Sequence, residues 1–274
     1  MAIVVEFTPH LKSEAGLRDW NAALGDLIEQ IGQDGFALAL RRALAVCTGF
    51  ESMMVTRYRG ASEPVCLFHD LDDVQAAISV SFYATGPFLL DPFYQACREG
   101  RAPGAFRLRD LVPTSFLLSE YYRRFYRRVR IRDELGLLLP DGSEGWIILS
   151  LARSLRSADF DATALDSVRL GFAPLCAAIA RHWGQSAEPE TTDGRPGRAQ
   201  DLLGFLGAVS LSPREAEIIH LVLQGHSGPT IAASLGLAVG TVKVHRRNAY
   251  AKLGISSQGE LFSMATRYLV SDTD

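Results

Sequence analysis

Leu17, Trp20, Leu24, Leu27, Ile28 and Ile31 recur three and four residues apart, the interval that gathers apolar side chains on one helical face. Phe36 to Val46 repeats that pattern as a second helix. Met53 to Arg59 and Val65 to Phe68 are short, partly β-branched and bounded by Gly or Pro, which predicts strands. Helices are expected over Val74 to Phe82 and Asp91 to Arg98, and a long one over Phe116 to Val129. In that long helix Tyr122, Phe125, Tyr126 and Val129 make the apolar stripe, while arginines cover the other sides. Glu134 to Leu139 and Trp146 to Arg153 read as strands joined across Pro140-Asp141-Gly142-Ser143, whose residues favour a turn. One further helix, Ala162 to Trp183, follows. Helices around a small antiparallel sheet make an α+β, sensor-like sandwich.

The pattern breaks at Gly184 to Gln200, GQSAEPETTDGRPGRAQ, which is nearly free of large apolar residues and reads as a linker. It separates residues 1–183 from residues 201–274. The second segment is helical throughout. Ser212-Pro213-Arg214-Glu215 is a capping box with Pro at the first helical position, opening a helix to Gln224. Pro229 begins a short helix that Gly236 ends, and a third runs from about Gly240 to Leu253 before Gly254. Ser257 and Glu260 form another capping box ahead of a fourth helix through Leu269.

Composition narrows the class. The 274 residues are 47% apolar and 22% charged, a globular profile ample for a buried core. No run approaches a membrane span, and Met1 to Thr8 has no basic stretch leading into an apolar block, so the expected location is the cytoplasm, away from the membrane. Cys47, Cys66, Cys97 and Cys176 form no CxxC pair and have no neighbouring His cluster, which argues against disulfides or zinc. The net charge of −3 says little about nucleic acid; the distribution decides.

The second and third C-terminal helices are separated by Gly236-Leu237-Ala238-Val239, the short turn of a helix-turn-helix, in which the following helix enters the major groove. Thr241 to Leu253 carries Lys243, Arg246, Arg247 and Lys252 and no acid, while most of its apolar positions, Val242, Val244, Ala249 and Leu253, can face the small helical core. Cations on a short exposed helix suit phosphates and guanine edges. LSPREAEIIHLVLQG, IAASLGL and GTVKVHRRNAYAKLGISS resemble the DNA-binding domain of LuxR/NarL-type regulators over residues 211 to 270. The resemblance implies that Lys243, Val244 and Arg247 read bases and that Thr241, His245 and Arg246 sit near phosphates of double-stranded DNA. It also implies that Leu261, Phe262, Ala265 and Leu269 offer a homodimer surface. RNA polymerase becomes a further partner if the protein activates. Two departures stand out: Gly228-Pro229-Thr230 replaces the usual Asn-Lys-Glu, and Ala238 replaces the usual capping Ser.

For the first segment, phosphorylation has no foothold, because Met1-Ala2-Ile3-Val4-Val5-Glu6 lacks the acidic pair of a receiver domain. Phe82, Tyr83, Phe88, Asp91, Phe93, Tyr94 and Phe106 gather aromatics about one acid, the makings of a small-molecule site. The segment resembles, remotely, the autoinducer-binding domain of LuxR-type quorum sensors, whose Asp-Pro matches Asp91-Pro92. By that alignment the family's hydrogen-bonding Tyr and Trp residues fall at Phe82, Ile78 and Phe106, so acyl-homoserine lactones should bind poorly. Asp91 is equally an ordinary N-cap before Pro92, the aromatics ordinary core, and Trp146 either a wall of the site or packing. A protein-interaction module without a ligand is the alternative reading. His69-Asp70-Leu71-Asp72-Asp73 reads as an exposed loop. GxSxG, GxxxxGK, GxGxxG and HExxH are all absent, so neither an enzyme nor a cofactor is expected.

Overall fold

The computed structural model describes residues 13–59, 63–84, 87–142, 145–184, 211–223, 226–261 and 263–264. A five-stranded antiparallel sheet organises the first segment, in the order β2-β1-β5-β4-β3. The strands are β1 (Ser52–Arg59), β2 (Val65–His69), β3 (Gly104–Arg107), β4 (Ile131–Asp141) and β5 (Gly145–Ser154). The last two are longer than their apolar runs suggested.

Strand alternation divides the sheet into two faces. Leu135, Leu137, Leu149, Leu151, Met53 and Val55 point to one, where α1 (Glu14–Glu29), α2 (Phe36–Cys47), α6 (Ala162–Leu170) and α7 (Phe172–Trp183) cover them. The other face carries Glu134, Gly136 and Leu138 of β4, opposite Ala152, Ser150 and Ile148 of β5. Phe106 of β3 lies opposite Gly136, and Trp146 of β5 opposite Tyr58 of β1. Over this face pack α4 (Pro92–Arg98) and α5 (Leu108–Leu111), together with several irregular turns, and α3 (Asp73–Ala76) precedes them in the chain.

Two expected helices are broken. Phe116 to Val129 is a 3-10 turn over Thr114–Leu118, then a π-helical turn over Tyr122–Tyr126. Between them Ser119 is extended, at φ −69° and ψ 156°, and its hydroxyl accepts from the Tyr122 N–H at 3.0 Å. A serine bonded that way starts a new turn instead of continuing the old one. The apolar stripe survives, since Phe125, Tyr126 and Val129 are buried. Likewise Ala162 to Trp183 bends by 57° at Gly171, where a Cβ would sit 2.8 Å from the Trp20 ring. The expected Val74 to Phe82 helix begins as α3 and continues as a π-helical turn over Ala77–Phe82. Among the described residues, no single helix is long and apolar enough to cross a membrane.

The second segment folds as α8 (Pro213–Leu223), α9 (Gly228–Leu235) and α10 (Val239–Leu253). A helical turn follows at 258–261. The N-terminus of α8 behaves as the capping pattern requires. The Ser212 N–H donates to Glu215 at 2.7 Å, and the Glu215 N–H to the Ser212 hydroxyl at 3.3 Å. Glu215 also receives Lys252 of α10 at 2.7 Å, tying the first helix to the third. Residues 185–210, which hold nearly all of the expected linker, lie outside the described residues, as do Phe262, Ala265 and Leu269.

Candidate functional site

Two sites emerge from this frame. In the first, α9 ends at Gly236 in the left-handed region, φ 64° and ψ 34°, which a residue without Cβ enters at little cost. The chain then turns through Leu237 and Ala238 into α10. Ala238 is the N-cap of α10 and makes no side-chain cap bond, so the departure seen in the sequence leaves an unfilled cap. Val242, Ala249 and Leu253 are buried at seven- and four-residue spacing, which fixes how α10 rotates against α8 and α9. That rotation turns Thr241, Lys243, Val244, Arg246 and Arg247 outward, and half-buries His245. Val244, 45% exposed, is an apolar residue standing among cations, where it can touch a thymine methyl. Arg246 lies 5.9 Å from the Tyr250 ring centroid, which steadies its guanidinium.

The second site lies on the face of the sheet that carries Glu134. Asp91 caps α4, accepting the N–H groups of Phe93 at 2.8 Å and Tyr94 at 3.1 Å. Its other oxygen receives the Tyr121 hydroxyl in a long bond of 3.5 Å, and Tyr83 bonds to the same carboxylate. The Tyr83 and Tyr58 hydroxyls meet at 2.6 Å. Glu134, on β4, accepts the Tyr126 hydroxyl at 2.7 Å and a bond from Ser150. Both acids are buried. Burial pushes Asp91 up to about 6 even though its hydrogen bonds favour the charge. Glu134 rises to about 7 through burial first and the negative Asp91 second.

Rings close the cluster. Tyr58 lies 5.0 Å from Tyr94, Tyr83 5.5 Å from Phe125, and Tyr121 stacks on Phe125 at 5.5 Å. Phe93 reaches the sheet only because residue 136 is glycine; a Cβ there would fall 2.4 Å from its ring.

Of the residues expected here, Tyr83, Phe88 and Asp91 are buried together, while Phe106 and Trp146 pack half-buried at the edges. Phe82 closes the π-helical turn, and its side chain lies outside the described residues. Asp91 is an N-cap, as one of its two readings had it, and the aromatics fill the core around it. Four polar groups of this cluster, Tyr58, Glu134, Tyr121 and Tyr126, were not among the expected site residues. Their one sequence signal is an acid in the apolar strand Glu134 to Leu139, at an inward position of the two-residue period. Asp133 and Glu134 do point apart. Asp133 accepts from Arg109 at 3.0 Å and from the Phe160 N–H at 2.8 Å, at the end of the sheet.

The remaining chemistry-bearing residues are occupied structurally. Cys47, Cys66, Cys97 and Cys176 are free thiols, and burial pushes Cys47 up to about 12 and Cys176 to about 11, so both stay protonated. Asp70 accepts the Met53 N–H at 2.6 Å and pairs with Arg41. Among the described residues no group of His, Cys, Asp and Glu is arranged to hold a metal.

Known proteins resemble this chain in both segments. Residues 209–265 match the family described as bacterial regulatory proteins, luxR family. An Aeromonas salmonicida protein, described as an HTH-type transcriptional regulator in the exeN 3′ region, is 32% identical over 190 residues. The match covers 66% of this chain and 95% of the relative. The transcriptional regulatory protein FixJ of Azorhizobium caulinodans is 32% identical over 125 residues, 45% of this chain and 54% of FixJ. Among solved structures, the VqsR LBD domain of Pseudomonas aeruginosa is similar at 26% identity and a TM-score of 0.52, over 60% of this chain and 95% of that domain. With a relative matched over nearly its whole length and an exposed basic helix set by a helix-turn-helix, this chain belongs to the LuxR family of bacterial regulatory proteins and is a DNA-binding transcription regulator.

Proposed function

We propose that the chain is a one-component regulator: residues 1–183 sense a small molecule, residues 184–200 link, and residues 201–274 bind DNA. The observation that carries the sensing half is the buried cluster around Asp91, where hydroxyls and carboxylates converge among aromatic rings instead of pairing with charges. Fully apolar packing would hold the sheet face at least as well, because buried polar groups are costly unless every bond is made. The similarity to the VqsR LBD domain supports the same reading.

For DNA, Lys243, Val244 and Arg247 read base edges, while Thr241, His245 and Arg246 lie against phosphates. A homodimer on an inverted-repeat site in the cytoplasm, contacting RNA polymerase where it activates, completes this reading. A second reading makes residues 1–183 a protein-interaction module. What favours it is the half-exposed pair Leu17 and Ile28, eleven residues apart and so on one side of α1.

The test is a thermal-shift screen of the full chain against small metabolites, followed by fluorescence anisotropy on promoter DNA. A ligand at 100 times its dissociation constant adds about 2.7 kcal/mol, a shift of several degrees. A hit that also changes DNA affinity supports the sensor. Stabilisation by no metabolite, with a folded partner protein shifting DNA affinity instead, supports the interaction module.

A further inference from the structure

The cluster around Asp91 is defined by what its acids lack. Elsewhere this chain supplies buried carboxylates with a cation: Asp133 meets Arg109 at 3.0 Å, Asp141 meets Arg57 at 2.9 Å, and Glu215 meets Lys252 at 2.7 Å. Among the described residues no such cation comes within ion-pair distance of Asp91 or Glu134. Their partners are tyrosine and serine hydroxyls and two backbone N–H groups, all neutral.

The two acids belong to one cluster. The hydroxyl of Tyr121 bonds to Asp91 and that of Tyr126 to Glu134, and those two rings are 5.9 Å apart. Tyr94, 3% exposed and packed on Tyr58 and Phe88, leaves its hydroxyl with no hydrogen-bond partner among the described residues. A buried hydroxyl left unpaired loses its hydration without compensation, and so marks a place where a further polar group belongs.

Resting on the sensor reading above, we propose that the effector is a compact organic cation, a primary ammonium held between Asp91 and Glu134 and walled by tyrosine rings. An ammonium supplies three donors and no acceptor, matching two carboxylates that only accept when charged. Aromatic faces attract a cation, and the low surrounding polarity strengthens its pairing with the acids. A neutral ester or lactone offers its carbonyl oxygens to those same carboxylates, which repel them. Tyr94 then accepts a hydrogen bond from the ammonium or donates one to a polar tail of the ligand.

The experiment uses the full chain, with isothermal calorimetry and thermal shift, against tyramine, 2-phenylethylamine and putrescine. 2-Phenylethanol and N-octanoyl-homoserine lactone serve as neutral probes. At least one amine should bind saturably, with its neutral counterpart tenfold or more weaker. Glu134→Gln should weaken that amine tenfold or more, with near-UV circular dichroism confirming that the tyrosine packing persists. Asp91→Asn, in which Asn can still cap α4, should do the same. Equal or tighter binding of a neutral probe, unaffected by Glu134→Gln, overturns the ammonium assignment and leaves the sensor reading intact. No saturable binding by any of the five overturns the assignment, and if a broad metabolite screen also fails, the sensor reading falls separately.

Discussion

The recognition helix and the Asp91–Glu134 cluster place charge in opposite ways. On α10 the cations stand in solvent on one side while Val242, Ala249 and Leu253 anchor the other, so no charge is desolvated until DNA arrives. On the sheet face, two acids are already out of water, held by hydroxyls and pushed toward their neutral forms by burial. An exposed charge keeps its hydration and gains from long-range attraction to phosphates; a buried one carries a standing penalty that only a bound partner or a proton relieves. The first arrangement suits a polyanion of fixed chemistry, the second a small ligand that must be told from water.

The largest expected effect breaks that symmetry with pH. Asp91 and Glu134 have folded values of about 6 and about 7 against ordinary carboxylate values of 3.8 and 4.5. Between these limits the folded state holds more protons than the unfolded one, so their contribution to stability falls as pH rises from about 4 to about 7. The half-buried ring of His182, whose value burial lowers, works in the opposite sense over part of that range. The difference between wild type and Glu134→Gln cancels the histidine and reads Glu134 together with its coupling to Asp91. By urea melts, the variant should gain on wild type progressively from about pH 4.5 to pH 7 and hold a constant lead above that. A lead independent of pH would mean that Glu134 binds its proton equally in the folded and unfolded chains, so that burial does not shift it.

Gly136→Ala sharpens the same side of the comparison by packing alone. The new methyl meets the buried Phe93 ring at 2.4 Å, and overpacking of this kind typically costs about 1–3 kcal/mol. Melting of the first segment should fall by several degrees, while a fluorescence probe on α10 reports an unchanged local transition. A single shared transition would show that the two segments unfold as one.

On the DNA side, Arg247→Ala should cost about 1–3 kcal/mol against one base pair if its guanidinium is bidentate there. Anisotropy with single-position operator variants distinguishes this from a phosphate contact, which would weaken every sequence alike and reduce the salt dependence.

Legibility follows the same divide. The helix-turn-helix could be read from the chain because each of its signals is local: Ser212 with Glu215, Pro229 at a helix start, Gly236 and Gly254 at helix ends. The aromatic side of the cluster was legible too, since Tyr83, Phe88, Asp91 and Tyr94 fall close together in sequence. Its second acid was not. Glu134 meets Asp91 only through the sheet, and Tyr58 and Ser150 reach it by strand register that no short window encodes. The four-residue edge strand Gly104–Arg107 is too short to show a period, and the break at Ser119 hides inside apolar spacing that would suit a continuous helix.

Ala238→Ser tests the smallest of these differences, and it tests locality itself. Ala238 already has the extended N-cap backbone, φ −73° and ψ 145°, but no side chain to receive the free N–H groups of α10. A serine hydroxyl there should accept from the second or third residue of the helix, and such caps are worth about 0.5–2 kcal/mol. The melting temperature of the second segment should rise by a few degrees, with the aromatic circular dichroism of the first unchanged. Non-specific DNA affinity should increase modestly, because a helix start held in place presents Thr241 and Lys243 with less fraying. A stability gain without any change in DNA affinity would instead show that α10 is already fully formed before DNA arrives. The missing cap would then be a cost borne by the fold alone.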